Sequence, residues 1–335
     1  MNRAIDWSEK GLLPDALIRW GIRRLLWERL QQEEAQDPEA FVSHLRSSAL
    51  ALHTQEANEQ HYELPPAFFA QVLGRHLKYS SCLYETGAAT LDEAEAVMLD
   101  LTCTRAGLAD GQRVLELGCG WGSLTLCMAA HYPHSRITAL SNSGPQREYI
   151  EARCRERGLA NVQVLTGDFN HFEAPGRYDR VVSVEMFEHL RNWETALARV
   201  AGWLEPEGRL FIHVFCHRER AYLFGTDGPR DWMGRHFFTG GLMPSEGLLG
   251  RFDQHLEVEE WWSVNGRNYA RTADDWLANL DHRRAGVLPV LAEHYGPEAR
   301  RWLHRWRIFF MACSELFGYR GGEEWKVAHY RLRPR

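Results

Sequence analysis

The sequence predicts an α/β fold built on a doubly wound sheet, and three observations support this prediction. The chain has 335 residues, enough for one large domain or for a domain that carries a sizeable insertion. Short runs rich in β-branched residues alternate with helical stretches between residues 113 and 215. A glycine-rich loop follows the first of these runs and opens the next helix. Alternation at this spacing is typical of parallel strands that bind ligands at their carboxyl ends.

Two helices are predicted before this core. The first covers residues 15–32 and the second extends from about residue 38 to residue 58. Apolar residues of the first helix share one side, namely Ile18, Ile22, Leu25 and Leu26. Its arginines are compatible with a membrane surface, or with a helix that packs on the core and keeps its basic side chains in water. We favour the packed helix.

The core elements are predicted in a regular order. Strands are expected at residues 113–117, 136–140, 162–166, 178–184 and 208–215, and helices at residues 123–131, 145–158 and 193–203. After residue 215 the alternation stops, and residues 217–275 are expected to be irregular. Two long helices, at residues 271–295 and 297–317, and a closing strand at residues 324–333 complete the pattern.

This order divides the chain into four predicted parts. Residues 1–100 form an N-terminal helical region that covers the ligand site, and residues 101–215 form the core. Residues 216–320 form a lid inserted before the last strand, and residues 321–335 carry that strand back to the sheet.

Composition excludes several classes of protein. A net charge of −6 gives no reason to expect nucleic-acid binding. No run of about 18 apolar residues exists, so no transmembrane helix is expected. The seven cysteines are scattered without a C-x-x-C pair, which argues against a zinc site and a disulfide framework and favours a reducing cytoplasm. The 13 tryptophans offer a surplus of aromatic faces for an apolar or cationic ligand.

The glycine-rich loop, residues 118–122, suits a nucleotide that is not a dinucleotide. The G-x-G-x-x-G fingerprint needs a glycine where this chain has Ser123, and the second strand ends without the acid that binds a ribose. The E-x-G-x-G-x-G run that begins at Glu116 instead resembles motif I of class I methyltransferases. That resemblance implies a Rossmann-like fold and S-adenosyl-L-methionine as cofactor, with Asp168 after the third strand at the adenine.

Two carboxylates and an imidazole follow the fourth strand, in the run Glu185-Met186-Phe187-Glu188-His189. Helical spacing would place Glu185 and His189 on one face as an i, i+4 pair. Such a dyad orients the imidazole and raises its basicity, which suits a general base near neutral pH. The alternative is an ordinary ion pair at the start of a surface helix.

Many ordered segments from about residue 61 to the C-terminus resemble the cyclopropane-fatty-acid synthase superfamily of methyltransferases, and most closely its coclaurine N-methyltransferase branch. They include residues 61–65, 77–80, 118–122, 140–143, 184–189, 237–241 and 315–319. The resemblance implies that Asn142 and Gln146 hold the ribose. The predicted cofactor site comprises Tyr79, Ser80, Glu116, Gly118, Gly120, Asn142, Gln146, Asp168 and Phe169.

The resemblance leaves two substrate classes open. In lipid-modifying members, positions equivalent to Glu188, His213, Phe215 and Tyr269 build a bicarbonate cage together with a cysteine, but this chain has Ser81 in place of that cysteine. Those members usually have glycine where this chain has Glu185. N-methyltransferases share the Glu185 and His189 pattern, which implies an amine acceptor.

The sequence therefore predicts a SAM-dependent N-methyltransferase for a small, aromatic or tetrahydroisoquinoline-like amine. Glu185, Glu188 and His189 are the predicted catalytic residues, and no metal is expected. The predicted substrate contacts are Ser81, His213, Phe215, Trp232, Phe237, Phe238 and Tyr269, and each lid aromatic could equally be lid core. The alternatives are a cyclopropane-fatty-acyl-phospholipid synthase or fatty-acyl C-methyltransferase, which would contact membrane, and a non-catalytic SAM-binding regulator. The acceptor and the oligomeric state stay open.

Overall fold

A seven-stranded mixed sheet lies at the centre of the computed structural model, which describes residues 2–32, 37–51, 64–228 and 231–335. The strands of the structure are β1 (Arg113–Leu117), β2 (Arg136–Ser141), β3 (Val162–Thr166), β4 (Tyr178–Val184), β5 (Leu204–His217), β6 (Tyr222–Leu223), β7 (Leu242–Met243), β8 (Leu256–Val264) and β9 (Trp325–Pro334). The large sheet has the order β3-β2-β1-β4-β5-β9-β8, and β6 pairs with β7 separately.

Six strands of the large sheet run in one direction, and only β9 runs in the opposite direction. β1 to β5 pair in parallel, whereas β9 runs antiparallel between β5 and β8. The predicted α/β doubly wound fold is therefore confirmed, and so is the return of the last strand to the sheet. Because the parallel strands end at one edge, the loops after β1 to β5 meet there.

Helices pack on both sides of this sheet. They are α1 (Asn2–Glu9), α2 (Asp15–Gln32), α3 (Pro38–Ser47), α4 (Pro66–Val72), α5 (Leu91–Ala106), α6 (Ser123–His131), α7 (Gly144–Arg157), α8 (Trp193–Trp203), α9 (Trp232–His236), α10 (Arg267–His282), α11 (Arg284–Tyr295) and α12 (Ala299–Gly318). Local sequence sets several ends: Thr90 and Glu93 form a capping box at α5, and Ser143 caps α7.

The N-terminal helix α2 has the predicted bounds and packs on the core. Ile18 and Leu26 are buried, whereas Leu25 is exposed. Arg19 and Arg23 form ion pairs with Glu315 of α12. The second predicted helix ends at Ser47, because Ser48 has extended backbone angles. Residues 48–51 are not helical, which contradicts the prediction there, and residues 52–58 lie outside the described ones.

Two sequence predictions after residue 215 are wrong. β8 is a regular strand inside the segment expected to be irregular. It lies at the sheet edge, and its glutamates pair with arginines of other strands, as Glu259 does with Arg331 of β9. Its sequence is therefore rich in glutamate and lacks the apolar run of the other strands. The helix predicted at residues 271–295 is two helices, because Arg283 between α10 and α11 leaves the helical conformation.

A helical layer covers the carboxyl edge of the sheet. Buried residues of α2, α4, α5, α10, α11 and α12 form one apolar cluster that also contains Trp121 from the glycine-rich loop. No helix in the described part of the chain is long and apolar enough to cross a membrane. The predicted compartment and the four-part division of the chain stay predictions.

Candidate active site

The glycine-rich loop connects β1 to α6 with three residues in the left-handed region. Gly118, Gly120 and Gly122 have φ values of +77°, +51° and +78°. A Cβ on Gly118 would lie 2.8 Å from Cγ of Met186, so the backbone there needs glycine. A Cβ on Gly120 would meet no protein atom within 4 Å. The space beside Gly120 is therefore open to a ligand.

A single cavity at this edge of the sheet collects all nine residues predicted for the cofactor. They are Tyr79, Ser80, Glu116, Gly118, Gly120, Asn142, Gln146, Asp168 and Phe169. Asp168 follows β3 and accepts a hydrogen bond from the backbone N–H of Asn170 at 2.8 Å. The loops after β1, β2 and β3 thus face one ligand-sized space.

Unpartnered polar atoms in the cavity wall show that a ligand fits there. Oε1 of Gln146 accepts from the Ser141 hydroxyl at 2.7 Å, but the buried Nε2 of Gln146 has no partner among the described residues. The Ser123 hydroxyl is also buried without a partner in the part of the chain that the structure describes. A buried orphan group costs about 1–3 kcal/mol, which a ligand relieves when it accepts the hydrogen bond.

Glu116 provides the acid of this wall. Its carboxyl is buried and accepts a hydrogen bond from the Thr125 hydroxyl. Burial raises the pKa of Glu116 to about 8. A cationic ligand group beside it would favour the carboxylate, so the residue suits the sulfonium or ammonium of S-adenosyl-L-methionine.

Glu185 lies at the end of β4 in the same cavity, with a left-handed φ of +47°. Its carboxylate accepts hydrogen bonds from the Ser81 backbone N–H at 3.0 Å and the Tyr269 hydroxyl at 2.6 Å. Nε2 of His213 lies 3.2 Å from its Oε1. Three partners from separate segments therefore hold one carboxylate, and they offset the strain of this backbone conformation.

The predicted helical pairing of Glu185 and His189 is wrong. Glu185 precedes a short 3₁₀ turn, Phe187–His189, and is not itself helical. His189 nevertheless lines the cavity, and its ring lies 4.7 Å from the Phe238 ring, measured between centroids. Glu185 and His189 thus line the same cavity, but a turn in the backbone brings them there rather than one face of a helix.

The expectation of a more basic His189 is also wrong for this state of the protein. Burial lowers the pKa of His189 to about 4, although the charge of Glu185 opposes this. Desolvation outweighs attraction because most of the ring is out of water. His189 is therefore neutral at pH 7, with a ring nitrogen able to accept a proton.

The structure does not bring Glu188 into the cavity. Its Oε1 accepts from the Phe215 backbone N–H at 2.9 Å, and its Oε2 is buried with no partner among the described residues. Burial, followed by the charge of Glu185, raises the pKa of Glu188 well above its ordinary value. Glu188 therefore supports the backbone of β5 from behind the wall.

The residues predicted to contact substrate separate into three groups. Phe215, Phe238 and Tyr269 line the cavity. Ser81 and His213 do not line the cavity but form hydrogen bonds with the Glu185 carboxylate. Trp232 and Phe237 lie elsewhere in the lid, where Trp232 donates to Glu9 and Phe237 stacks on Phe309. These last two match the lid-core alternative.

Sequence reasoning missed much of the apolar wall. Phe309, Cys313, Leu316 and Phe317 of α12 line the cavity. Their spacing of i, i+4, i+7 and i+8 is the period of one helix face, a signal that could have found them. Trp276 of α10 lines it too. The cavity thus joins a polar end, at the glycine-rich loop, to an aromatic end with one carboxylate.

Lys78 is a further missed residue of the wall. Its buried ammonium donates to the Ser80 hydroxyl and to the Ser81 carbonyl, both at 2.6 Å. Burial lowers the pKa of Lys78.

Among the described residues, no group of His, Cys, Asp and Glu side chains is arranged to hold a metal ion.

Comparisons with known proteins agree with this site. The family described as mycolic acid cyclopropane synthetase matches residues 51–324. The chain is 37% identical to (S)-coclaurine N-methyltransferase of Thalictrum flavum subsp. glaucum, over 96% of this chain and 92% of that protein. It is 29% identical to cyclopropane-fatty-acyl-phospholipid synthase of Escherichia coli K12, over 89% of this chain and 75% of that protein.

A solved structure extends the similarity to three dimensions. Coclaurine N-methyltransferase bound to N-methylheliamine and SAH superposes with a TM-score of 0.94, at 35% identity and over 99% of each chain. The glycine-rich loop, the orphan donors and this similarity identify S-adenosyl-L-methionine as the cofactor and the protein as a methyltransferase. The chain belongs to the mycolic acid cyclopropane synthetase family of SAM-dependent methyltransferases.

Proposed function

We propose that the protein methylates the nitrogen of a secondary or tertiary amine with an aromatic, tetrahydroisoquinoline-like body. The observation that carries this proposal is the Glu185 carboxylate, held by three partners in the wall of an otherwise aromatic cavity. A carboxylate in apolar surroundings attracts a protonated amine strongly. Nearby aromatic faces, among them Phe238 and Tyr269, stabilise positive charge and pack on an apolar body.

The chain's own residues prepare the amine. A protonated amine has no lone pair, so it must lose its proton before it attacks a methyl group. Glu185 binds the ammonium, and His189, which burial keeps neutral, accepts the proton on a ring nitrogen while the charge of Glu185 stabilises the imidazolium. The cofactor supplies a methyl group on an electrophilic sulfonium. The aromatic wall holds the nitrogen in line and keeps water out.

The position of Glu185 favours an amine over a lipid. His213 and Tyr269, two residues of the predicted bicarbonate cage, direct their polar atoms at the Glu185 carboxylate. A third donor, the Ser81 N–H, does the same. The donors that a small planar anion would need are thus already satisfied by a side chain of the protein.

A substrate panel tests this assignment. Purified protein and S-adenosyl-L-methionine are incubated with secondary and tertiary amines that have aromatic bodies, and products are followed by mass spectrometry. We expect at least one N-methylated product. Vesicles of phospholipid with unsaturated chains, with and without bicarbonate, serve as the second arm, in which we expect little or no product. Bicarbonate-stimulated cyclopropanation of the vesicles would reverse the assignment.

The proposed cofactor contacts predict a specific effect at the glycine-rich loop. Gly120→Val places a branched side chain in the space open to the ligand, and overpacking of this kind costs about 1–3 kcal/mol. We expect affinity for S-adenosylhomocysteine, measured by isothermal titration calorimetry, to fall about tenfold or more. Gly111→Val is the matched control, because Gly111 also has a positive φ and open space but does not line the cavity. Equal losses in both variants would contradict the assignment.

A further inference from the structure

A chain of hydrogen bonds leads from Glu185 through two buried histidines to α5. Nδ1 of His213 lies 2.9 Å from Nε2 of His329. Nδ1 of His329 in turn lies 2.8 Å from Nη1 of Arg105. The two histidines are direct neighbours in the register of β5 and β9, and both side chains are fully buried. Neither Arg105 nor His329 is part of the catalytic or cofactor residues described above.

Arg105 fixes the direction of every bond in this chain. A guanidinium has donors only, so Nδ1 of His329 must be an acceptor. A neutral His329 then carries its proton on Nε2 and donates to Nδ1 of His213. His213 consequently carries its proton on Nε2 and donates to Glu185. Each donor points toward the carboxylate.

The opposite direction would bring two donors together. A protonated Glu185 could donate to Nε2 of His213 only if both imidazoles carried their protons on Nδ1. The Nδ1–H of His329 would then face the N–H of Arg105 at a distance of 2.8 Å between the nitrogens. Such a contact leaves both donors unsatisfied, and buried unsatisfied donors are costly.

Burial, together with nearby positive charge, favours the neutral form of both imidazoles, in which only the tautomer can vary. Burial lowers the pKa of His213 and of His329 well below the ordinary value, and the positive charges of Lys78 and Arg105 add to this. Arg105 is half-buried and lies over the ring of Trp262 in β8, which holds the guanidinium in place.

We propose that Arg105 is a positioning residue that sets the tautomers of His329 and His213 and thereby keeps a hydrogen-bond donor on Glu185. The chain of donors favours the carboxylate form of Glu185, the form that attracts a protonated amine. The inference rests on the proposed function for its catalytic consequence. The tautomers themselves require no assumption about the substrate.

The tautomers are measurable without any amine. In protein labelled with ¹⁵N at histidine, long-range ¹H–¹⁵N correlation distinguishes Nε2–H from Nδ1–H imidazoles. The signals that disappear in His329→Gln and in His213→Gln identify those of each residue. We expect both residues of the parent protein to be Nε2–H tautomers. In Arg105→Leu we expect a population of Nδ1–H His329. A parent protein with Nδ1–H at either residue, or an unchanged spectrum in Arg105→Leu, would overturn the proposal.

Kinetics separate positioning from general stability. Groups around Glu185 that affect its titration are Lys78, His189, Glu188, His213, Tyr269, Cys82 and Cys313. Weakening one hydrogen bond to this carboxylate should raise its pKa. We therefore expect the acidic limb of kcat/KM for amine methylation to move up by about one pH unit in Arg105→Leu.

Two further variants complete the test. Arg105→Lys keeps a donor-only cation and should restore the parental pH profile. Arg331→Leu is the matched control, because Arg331 also lies over Trp262 but its guanidinium donates to Glu259, Glu260 and the Arg105 carbonyl rather than to His329. It should keep the parental profile. An acidic limb unmoved in Arg105→Leu, or moved equally in Arg331→Leu, would refute the role. If no amine is methylated, the proposed function fails while the tautomer result still stands.

Discussion

His189→Ala is expected to lower kcat for amine methylation by about 10² to 10⁴, the usual contribution of a general base. The neutral imidazole lines the cavity that also contains Glu185, and the alanine variant lacks this proton acceptor. Affinity for S-adenosylhomocysteine should stay close to the parental value, since His189 is not among the proposed cofactor contacts. Steady-state kinetics and calorimetry on the same preparations measure the two quantities.

His236→Ala provides a matched control for this result. His236 is also a lid histidine whose pKa burial lowers to about 4, and it lies 3.7 Å from Glu9, measured between Nε2 and Oε1. It does not line the cavity. We expect kcat of His236→Ala to stay near that of the parent protein. A similar loss in both variants would mean that the effect of His189→Ala comes from disturbed packing.

Glu185→Gln should cause the second large loss. The amide keeps the shape but removes the charge that binds the ammonium, and its NH₂ group would face donors from Ser81, His213 and Tyr269. Removing one partner of a buried charge pair costs about 2–5 kcal/mol. We therefore expect kcat/KM for the amine to fall about 30-fold or more.

The neighbouring carboxyl offers a sharp comparison. Burial and the charge of Glu185 raise the pKa of Glu188 well above its ordinary value, which favours the neutral carboxyl, and Gln is close to isosteric with that form. Glu188→Gln should therefore cause a much smaller loss of kcat/KM than Glu185→Gln. Equal losses would show that charge at residue 185 is not what binds the amine.

The strand bounds that the sequence predicts correctly are those with a strong local pattern. β1, β3 and β4 have the predicted ends, because β-branched and aliphatic residues form short runs between turns. β8 was not predicted because it is an edge strand rich in glutamate, among them Glu257 and Glu260. Its pairing with β9 is long-range and leaves no local signal.

The sequence also predicts the location of the site residues better than their geometry. Glu185, His189 and the cofactor residues follow strands, so their position at the carboxyl edge follows from the order of elements alone. Their geometry does not, because the left-handed φ of Glu185 depends on contacts with Ser81, His213 and Tyr269 far away in the chain. Arg105 and His329 are 224 residues apart, and no spacing in one sequence connects them.

The pH dependence of kcat in the parent protein and in His189→Ala tests proton removal by His189 most directly. His189 is neutral above about pH 4 and can therefore accept a proton from a bound ammonium, whereas without it only amine already neutral in solution can react. The account predicts that kcat of the parent rises and levels off below the amine's pKa, and that in His189→Ala this rise moves up toward that pKa. Parental turnover with an unchanged profile in His189→Ala would contradict it, because proton loss would then be left to solvent.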